Sequence, residues 1–286
     1  MSANLMEKNI LITGATDGIG KQGAKELAAM GANLILVGRS EERCRQAVDE
    51  VAAFSQNNRV DYLVADLSSM SQVAGLAAAV QARFTYLDVL LNNAGAGFVG
   101  RVETVEGFER TFALNHLAYF LLTNLLLDLL KATPDSRIVS TSSGSHLRGK
   151  IHFDDPHLKR GYFVLKAYAQ SKLANVMFTY ALSRQLAGKR VTANCFHPGL
   201  VNTGIFRKVP FVGGVVDWVL SPRAISVEEG AETMVYLAAS EEIADTSGVY
   251  FYQKKAQVTN PVSYDLDAQE RLWEMSAEMV RPWLPG

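Results

Sequence analysis

The chain has 286 residues, and its 28 lysines and arginines nearly balance 29 aspartates and glutamates, for a formal net charge of −1. With 48% hydrophobic and 20% charged residues it has material for a sizeable core, which excludes disordered, collagen-like and disulfide-framework proteins. No run of basic residues offers a sequence-independent grip on nucleic acid.

In chain order, Ile10–Thr13 reads as a buried strand, followed by a glycine turn and a helix from Lys21 to Met30. A strand at Asn33–Val37 and a helix at Glu41–Phe54 follow, then a strand at Val60–Ala65 and a helix at Ser69–Phe84. Leu87–Leu91 is the next strand, and Asn115 opens a long apolar helix to about Leu130. That helix falls short of the ~20 apolar residues a membrane span needs, and it reads as buried core or half of a homodimer face. Arg137–Thr141 is a strand, Val164–Leu186 a long helix, Val191–Phe196 a strand, Val227–Ser240 a helix and Gly248–Tyr252 a last strand. Strands apolar on both faces and alternating with helices imply a single doubly wound α/β domain, its parallel sheet of about seven strands covered on both sides.

Two segments break the alternation. Ser145–Gly161 is polar and histidine-rich, a loop between strand and helix. Leu200–Pro222 is an apolar stretch interrupted by Gly213 and Gly214, expected to be a buried turn or a substrate lid walled by Phe206, Phe211 and Trp218. An amphipathic helix is expected near the C-terminus, around 265–280. Met1–Lys8 has no signal-peptide core, and the two cysteines, Cys44 and Cys195, read as free thiols. A cytoplasmic location is therefore expected, with no membrane span.

Gly14, Gly18 and Gly20 lie in the first strand-to-helix junction, together with Thr16, Asp17 and Ile19. Glycines there permit a tight turn and let a pyrophosphate reach backbone N–H groups at a helix N-terminus. Arg39 ends the second strand, where an acidic residue would hold a ribose 2′-hydroxyl; a guanidinium suits a 2′-phosphate, so NADP(H) is expected over a still possible NAD(H). Asp66 ends the third strand, beside Leu67, and either accepts from an adenine or caps the next turn. Tyr168 and Lys172, four residues apart, share one helix face. A neighbouring ammonium is expected to lower the phenol's pKa and tune it for proton transfer, while Ser143, just beyond a strand, can donate to an oxygen that gains charge. The five histidines (His116, His146, His152, His157 and His197) have no metal-ligand spacing.

Taken in order, Thr13–Gly20, Asn92–Gly95, Asn115, Ser142–Ser143, Tyr168–Lys172 and His197–Gly199 resemble the short-chain dehydrogenase/reductase family. The resemblance implies Tyr168 as general acid/base, Lys172 on the nicotinamide ribose and the tyrosine, and Asn115 holding a proton-relay water. Ser143 would sit on the substrate oxygen, with Ser142 as the alternative. It also implies cofactor contacts at Asn93, Ala94, Gly95, Pro198, Gly199, Val201 and Thr203. Arg148–Phe153, Ser171–Asn175 and His197–Thr203 further resemble the retinol dehydrogenase-like branch, whose membrane members begin with a hydrophobic anchor that is not seen ahead of Lys8.

The function expected is NADP(H)-dependent interconversion of an alcohol and an aldehyde or ketone, with a small, lipophilic substrate. The alternatives are a non-catalytic NADP(H)-binding sensor or scaffold on the same fold and, third, an epimerase or dehydratase of the extended kind.

Overall fold

The computed structural model describes residues 4–200 and 225–285. Its strands are β1 (Asn9–Thr13), β2 (Asn33–Gly38), β3 (Val60–Val64), β4 (Val89–Asn92), β5 (Ser136–Thr141), β6 (Val191–His197), β7 (Tyr250–Tyr252) and β8 (Lys255–Ala256). They form one sheet in the order β3-β2-β1-β4-β5-β6-β7-β8. All neighbours are parallel except β7 and β8. The order reverses between β1 and β4, and it is at such a switch point, beyond the carboxyl ends of the two strands, that the connections of a doubly wound sheet part into a crevice.

Helices cover both faces because alternate strand residues point opposite ways. Leu11, Leu90 and Ile138 join a core with α3 (Met70–Arg83), α4 (Arg110–Lys131), α5 (Val164–Gln185) and the C-terminal α7 (Leu266–Val280). Ile10, Ile12, Leu34, Leu36 and Val139 face the other core, with α1 (Gly18–Ala29), α2 (Glu41–Ser55) and α6 (Val227–Ala239). Both cysteines are buried free thiols.

Three boundaries differ from the sequence reading. Helix α1 begins at Gly18 rather than Lys21, since the Asp17 carboxylate accepts from the Gly18 N–H at 2.8 Å and caps the helix ahead of its poor helix formers. Helix α4 begins at Arg110 rather than Asn115. Buried Glu109 takes the cap position that Ser, Thr, Asp or Asn usually fill, accepting from Thr111 and Phe112 N–H at 2.8 Å each. The eighth, antiparallel strand arises from a two-residue hairpin whose Gln253 and Lys254 have φ of 49° and 61°. Both central residues are left-handed, as a type I′ turn requires, but neither is the Asn or Gly that would advertise one.

Helix α4 is the single stretch among the described residues that is long and apolar enough to cross a membrane, and 67% of its most apolar window is buried inside the fold. It packs on α3 and α7. Phe120 of α4 meets Trp273 of α7 at 4.8 Å between ring centroids, and Phe178 of α5 stacks on the same indole at 5.7 Å. Of the expected lid only Leu200 is described; Val201 to Pro222, including Phe206, Phe211 and Trp218, lie outside the described residues.

Candidate active site

The glycine turn is held closed against the end of β4. Gly14 has a φ of 67°, and a Cβ there would come within 2.7 Å of the Ala94 Cα; one on Gly20 would run into the Gly14 carbonyl and the Asn93 amide. Thr13 Oγ1 donates to the Leu91 carbonyl and accepts from the Asn93 and Ala94 N–H groups, at 3.1, 2.8 and 3.1 Å. Asn93 Nδ2 donates to the Thr13 and Gly14 carbonyls at 3.0 and 3.2 Å. Asn93 and Ala94 thus tie β4 to the turn, a structural duty the sequence alone did not reveal.

Around that turn, Ile19 and Gly20 lie buried in the first turn of α1, with their N–H groups at its positive end. Thr16 approaches Gly38 closely enough that a Cβ on Gly38 would reach its side chain at 2.5 Å, so the end of β2 is adjacent to the turn. Exposed Arg39 follows it. Asp17 is ion-paired with Arg43 at 3.0 Å. Asp66 Oδ1 accepts from the Ser68 N–H and hydroxyl at 2.9 and 2.7 Å, and its Oδ2 lies 3.8 Å from Arg110. Asp66 therefore does cap the following turn, while buried Leu67 packs below it. Gly199, with φ of 97°, donates its N–H to His197 Nδ1 at 3.2 Å beside Pro198. Val201 and Thr203 lie outside the described residues.

Across the crevice, α5 presents Tyr168, Lys172 and Asn175 at helical spacing. Ser143 follows β5 and its hydroxyl is hydrogen-bonded to Tyr168. Ser142, by contrast, is 1% exposed and donates to the Lys172 carbonyl at 2.8 Å. The geometry therefore separates the two serines: Ser143 faces the phenol and Ser142 braces the helix. Lys172 Nζ lies 5.6 Å from the Tyr168 ring centroid and 5.7 Å from that of Tyr119, and donates to the Thr141 carbonyl at 2.9 Å. Tyr119 itself donates to the Ala94 carbonyl at 2.9 Å.

Asn115 sits in a π-helical stretch, Ala113–Leu117, inside α4. Such wide turns concentrate at functional sites. Its side chain accepts from the Ala96 N–H at 2.9 Å and donates to the Ala96 carbonyl and Ser171 hydroxyl, at 3.0 and 2.9 Å. A Cβ on Gly95 would sit 3.2 Å from both Asn115 Oδ1 and Lys172 Nζ, so Gly95, Asn115 and Lys172 converge on one point.

Electrostatically the site departs from expectation. Burial raises the Tyr168 pKa to about 12, opposed by the Ser143 hydrogen bond, and burial lowers that of Lys172 to about 7. A lysine that is only partly protonated near neutrality exerts a weakened field on the phenol, and desolvation wins. The Tyr168 hydroxyl therefore keeps its proton at neutral pH.

The backbone cradle of Gly14, Gly18 and Gly20 at a helix N-terminus, opposite the paired hydroxyls of Ser143 and Tyr168, matches the needs of a dinucleotide laid across the switch point. A short chain dehydrogenase model matches residues 8–210. The chain belongs to this family. Human retinol dehydrogenase 13 is 41% identical over 287 residues, covering 97% of this chain and 86% of that protein. Human polyprenol dehydrogenase is 38% identical over 280 residues, covering 94% and 84%. Among solved structures, the Pseudomonas aeruginosa RhlG/NADP active-site complex is similar with a TM-score of 0.70 and 25% identity, over 87% of this chain and 95% of that one.

Site reasoning from sequence passed over Thr141, Tyr119 and Asn175. Asn175 had a readable signal, since positions 168, 172 and 175 fall on one helical face. Thr141 acts through its carbonyl, which no residue type encodes.

Proposed function

We propose that this protein is an NADP(H)-dependent oxidoreductase that interconverts a lipophilic aldehyde or ketone and its alcohol. The observation that carries the reading is the pairing of the half-buried Ser143 hydroxyl with buried Tyr168, with Lys172 one helical turn further along α5. The glycine turn would receive the pyrophosphate, and Arg39 the 2′-phosphate. Asp66 and Leu67 would flank the adenine, with Asn93–Gly95, Pro198, Gly199, Val201 and Thr203 along the nicotinamide half. When bound, the nicotinamide supplies or accepts the hydride.

The remaining work belongs to side chains. Ser143 donates a hydrogen bond to the carbonyl oxygen as negative charge grows on it. Tyr168, protonated because burial disfavours its phenolate, gives that oxygen its proton and takes it back in oxidation. Lys172, next to the tyrosine on the same face, steadies the transient phenolate. Asn115 braces the floor at Ala96. A lipophilic substrate is supported by the retinol and polyprenol dehydrogenases among the relatives. Val99, Val102, Leu147, Phe163, Leu165 and Leu200 support it too, as exposed apolar side chains on the loops and helix start around the carboxyl edge of the sheet. The buried free thiols suit a reducing cytoplasm.

The test is NADPH consumption against a panel of lipophilic carbonyls, with Tyr168→Phe beside the wild type. The variant is expected to lose about 10³-fold in kcat/KM while its NADPH Kd stays within about twofold. Undiminished turnover in the variant overturns the assignment, and NADPH binding without turnover on any panel member favours a sensor.

A further inference from the structure

The carbonyl that holds Lys172 is shared. Thr141 O accepts from Lys172 Nζ at 2.9 Å and from Asn175 Nδ2 at 3.2 Å, with both side chains coming from α5 and both buried. A carbonyl cannot donate, so the Asn175 amide must present its nitrogen to Thr141. Its Oδ1 then faces His116 Nδ1 at 3.4 Å, which requires a proton on that ring nitrogen.

His116 is fully buried and held neutral, its pKa lowered to about 4. A neutral ring with Nδ1 protonated has a bare Nε2. Ser276 Oγ of helix α7 lies 2.9 Å from Nε2 and also 2.8 Å from the Leu272 carbonyl. One hydroxyl proton therefore faces two acceptors. Turned toward Leu272 it serves only its own helix; turned toward His116 it completes a chain of donors, Ser276 to His116 to Asn175, that ends on the Thr141 carbonyl as acceptor.

We infer that Asn175 is a positioning residue for Lys172, and that docking of α7 sets it through Ser276 and His116. This rests on the reading of Lys172 as part of the proton-transfer site. The relay crosses the core from α7 through α4 and α5 to the end of β5; the Thr141 carbonyl forces the directions of Asn175 and His116, and the Ser276 hydroxyl is the one member free to join it or to serve its own helix. No acid or base among the described residues shapes the environment of His116; the rings of Phe112, Phe120 and Phe178 surround it. The titratable groups facing Lys172 are Tyr168 on its own helix and Tyr119 on α4.

Removing the Ser276 hydroxyl strands the Nε2 lone pair among those rings. His116 is then held by Asn175 alone, the amide loosens on the carbonyl it shares, and the Thr141 oxygen is left more fully to the ammonium, which favours its charged form.

The experiment uses the full chain with NADPH and two NMR readouts: the 15N imidazole spectrum of His116, and the 13Cε titration of Lys172, assigned by its loss in Lys172→Met. The wild type is expected to carry the His116 proton on Nδ1. Ser276→Ala is expected to raise the Lys172 midpoint by about half a pH unit, and to leave it unmoved when introduced into Asn175→Leu. Should Asn175→Leu fail to fold, Asn175→Ser, too short to span both neighbours, takes its place.

A proton on Nε2 in the wild type, no Ser276→Ala shift, or the same shift in both backgrounds overturns the relay. Neither NMR readout needs turnover. If these arms fail while Tyr168→Phe still abolishes activity, only the relay falls; if Tyr168→Phe is fully active, the reading beneath it falls.

Discussion

The two walls of the crevice are built from opposite materials. At the start of α1 the site consists of main chain: Gly14 and Gly20 contribute by lacking side chains where a Cβ would strike Ala94, Asn93 or the turn itself. On α5 it consists of side chains, Tyr168 and Lys172, whose behaviour is set by burial. Backbone sites tolerate no added atom, whereas side-chain sites depend on their dielectric surroundings. The first wall should break by sterics and the second by chemistry.

That contrast can be pressed at three places. The largest effect is expected from Lys172→Met. Burial holds the folded-state pKa of Lys172 to about 7, below the unfolded value near 10.5, so the unfolded chain binds more protons between those values and stability rises with pH across that window. Methionine removes the buried ammonium, so the variant should gain stability at pH 6 on the order of a few kcal/mol and flatten the rise, while losing turnover. Thermal unfolding followed from pH 6 to 10 checks this; a parallel pair of curves breaks the comparison.

Next comes Gly14→Ala, expected to cost about 2–3 kcal/mol because it combines a left-handed φ with a clash against immobile backbone. Denaturant unfolding and NADPH titration should both register it, whereas Tyr168→Phe should register in neither. The smallest effect is expected at Arg39→Leu, about a tenfold weaker Kd for NADPH with that for NADH unchanged, as befits one exposed guanidinium–phosphate contact. Fluorescence titration with the two cofactors separates them, and equal losses for both would remove the 2′-phosphate from its role.

How much of this was legible in the chain depended on where the information resides. The alternation of strands with helices and the glycine turn were readable because apolar runs, β-branched residues and glycines act locally. The start of α4 was not, since a glutamate cap at position 109 defies the usual cap preferences, and the β7–β8 hairpin was hidden behind Gln253 and Lys254. In the site, the shared face of Tyr168 and Lys172 was readable from spacing, while the choice of Ser143 over Ser142 leaned on the family resemblance until the Lys172 carbonyl was found to claim Ser142. The direction of the Tyr168 shift was beyond the sequence altogether. A cation four residues away argues for a lower value; desolvation by β5, α4 and α5 together pushes the other way, and only packed coordinates weigh the two.

Helix α7 ends six residues before the last residue of the chain, yet it closes over an imidazole near the middle. It follows every strand of the sheet in chain order, so during synthesis it emerges after them. Until it arrives, His116 meets water and keeps ordinary basicity; once Trp273 and Ser276 settle, that nitrogen is sealed and the ring must shed any charge. Docking of α7 is therefore a deprotonation event, and acidic conditions should slow that docking more than the collapse that precedes it.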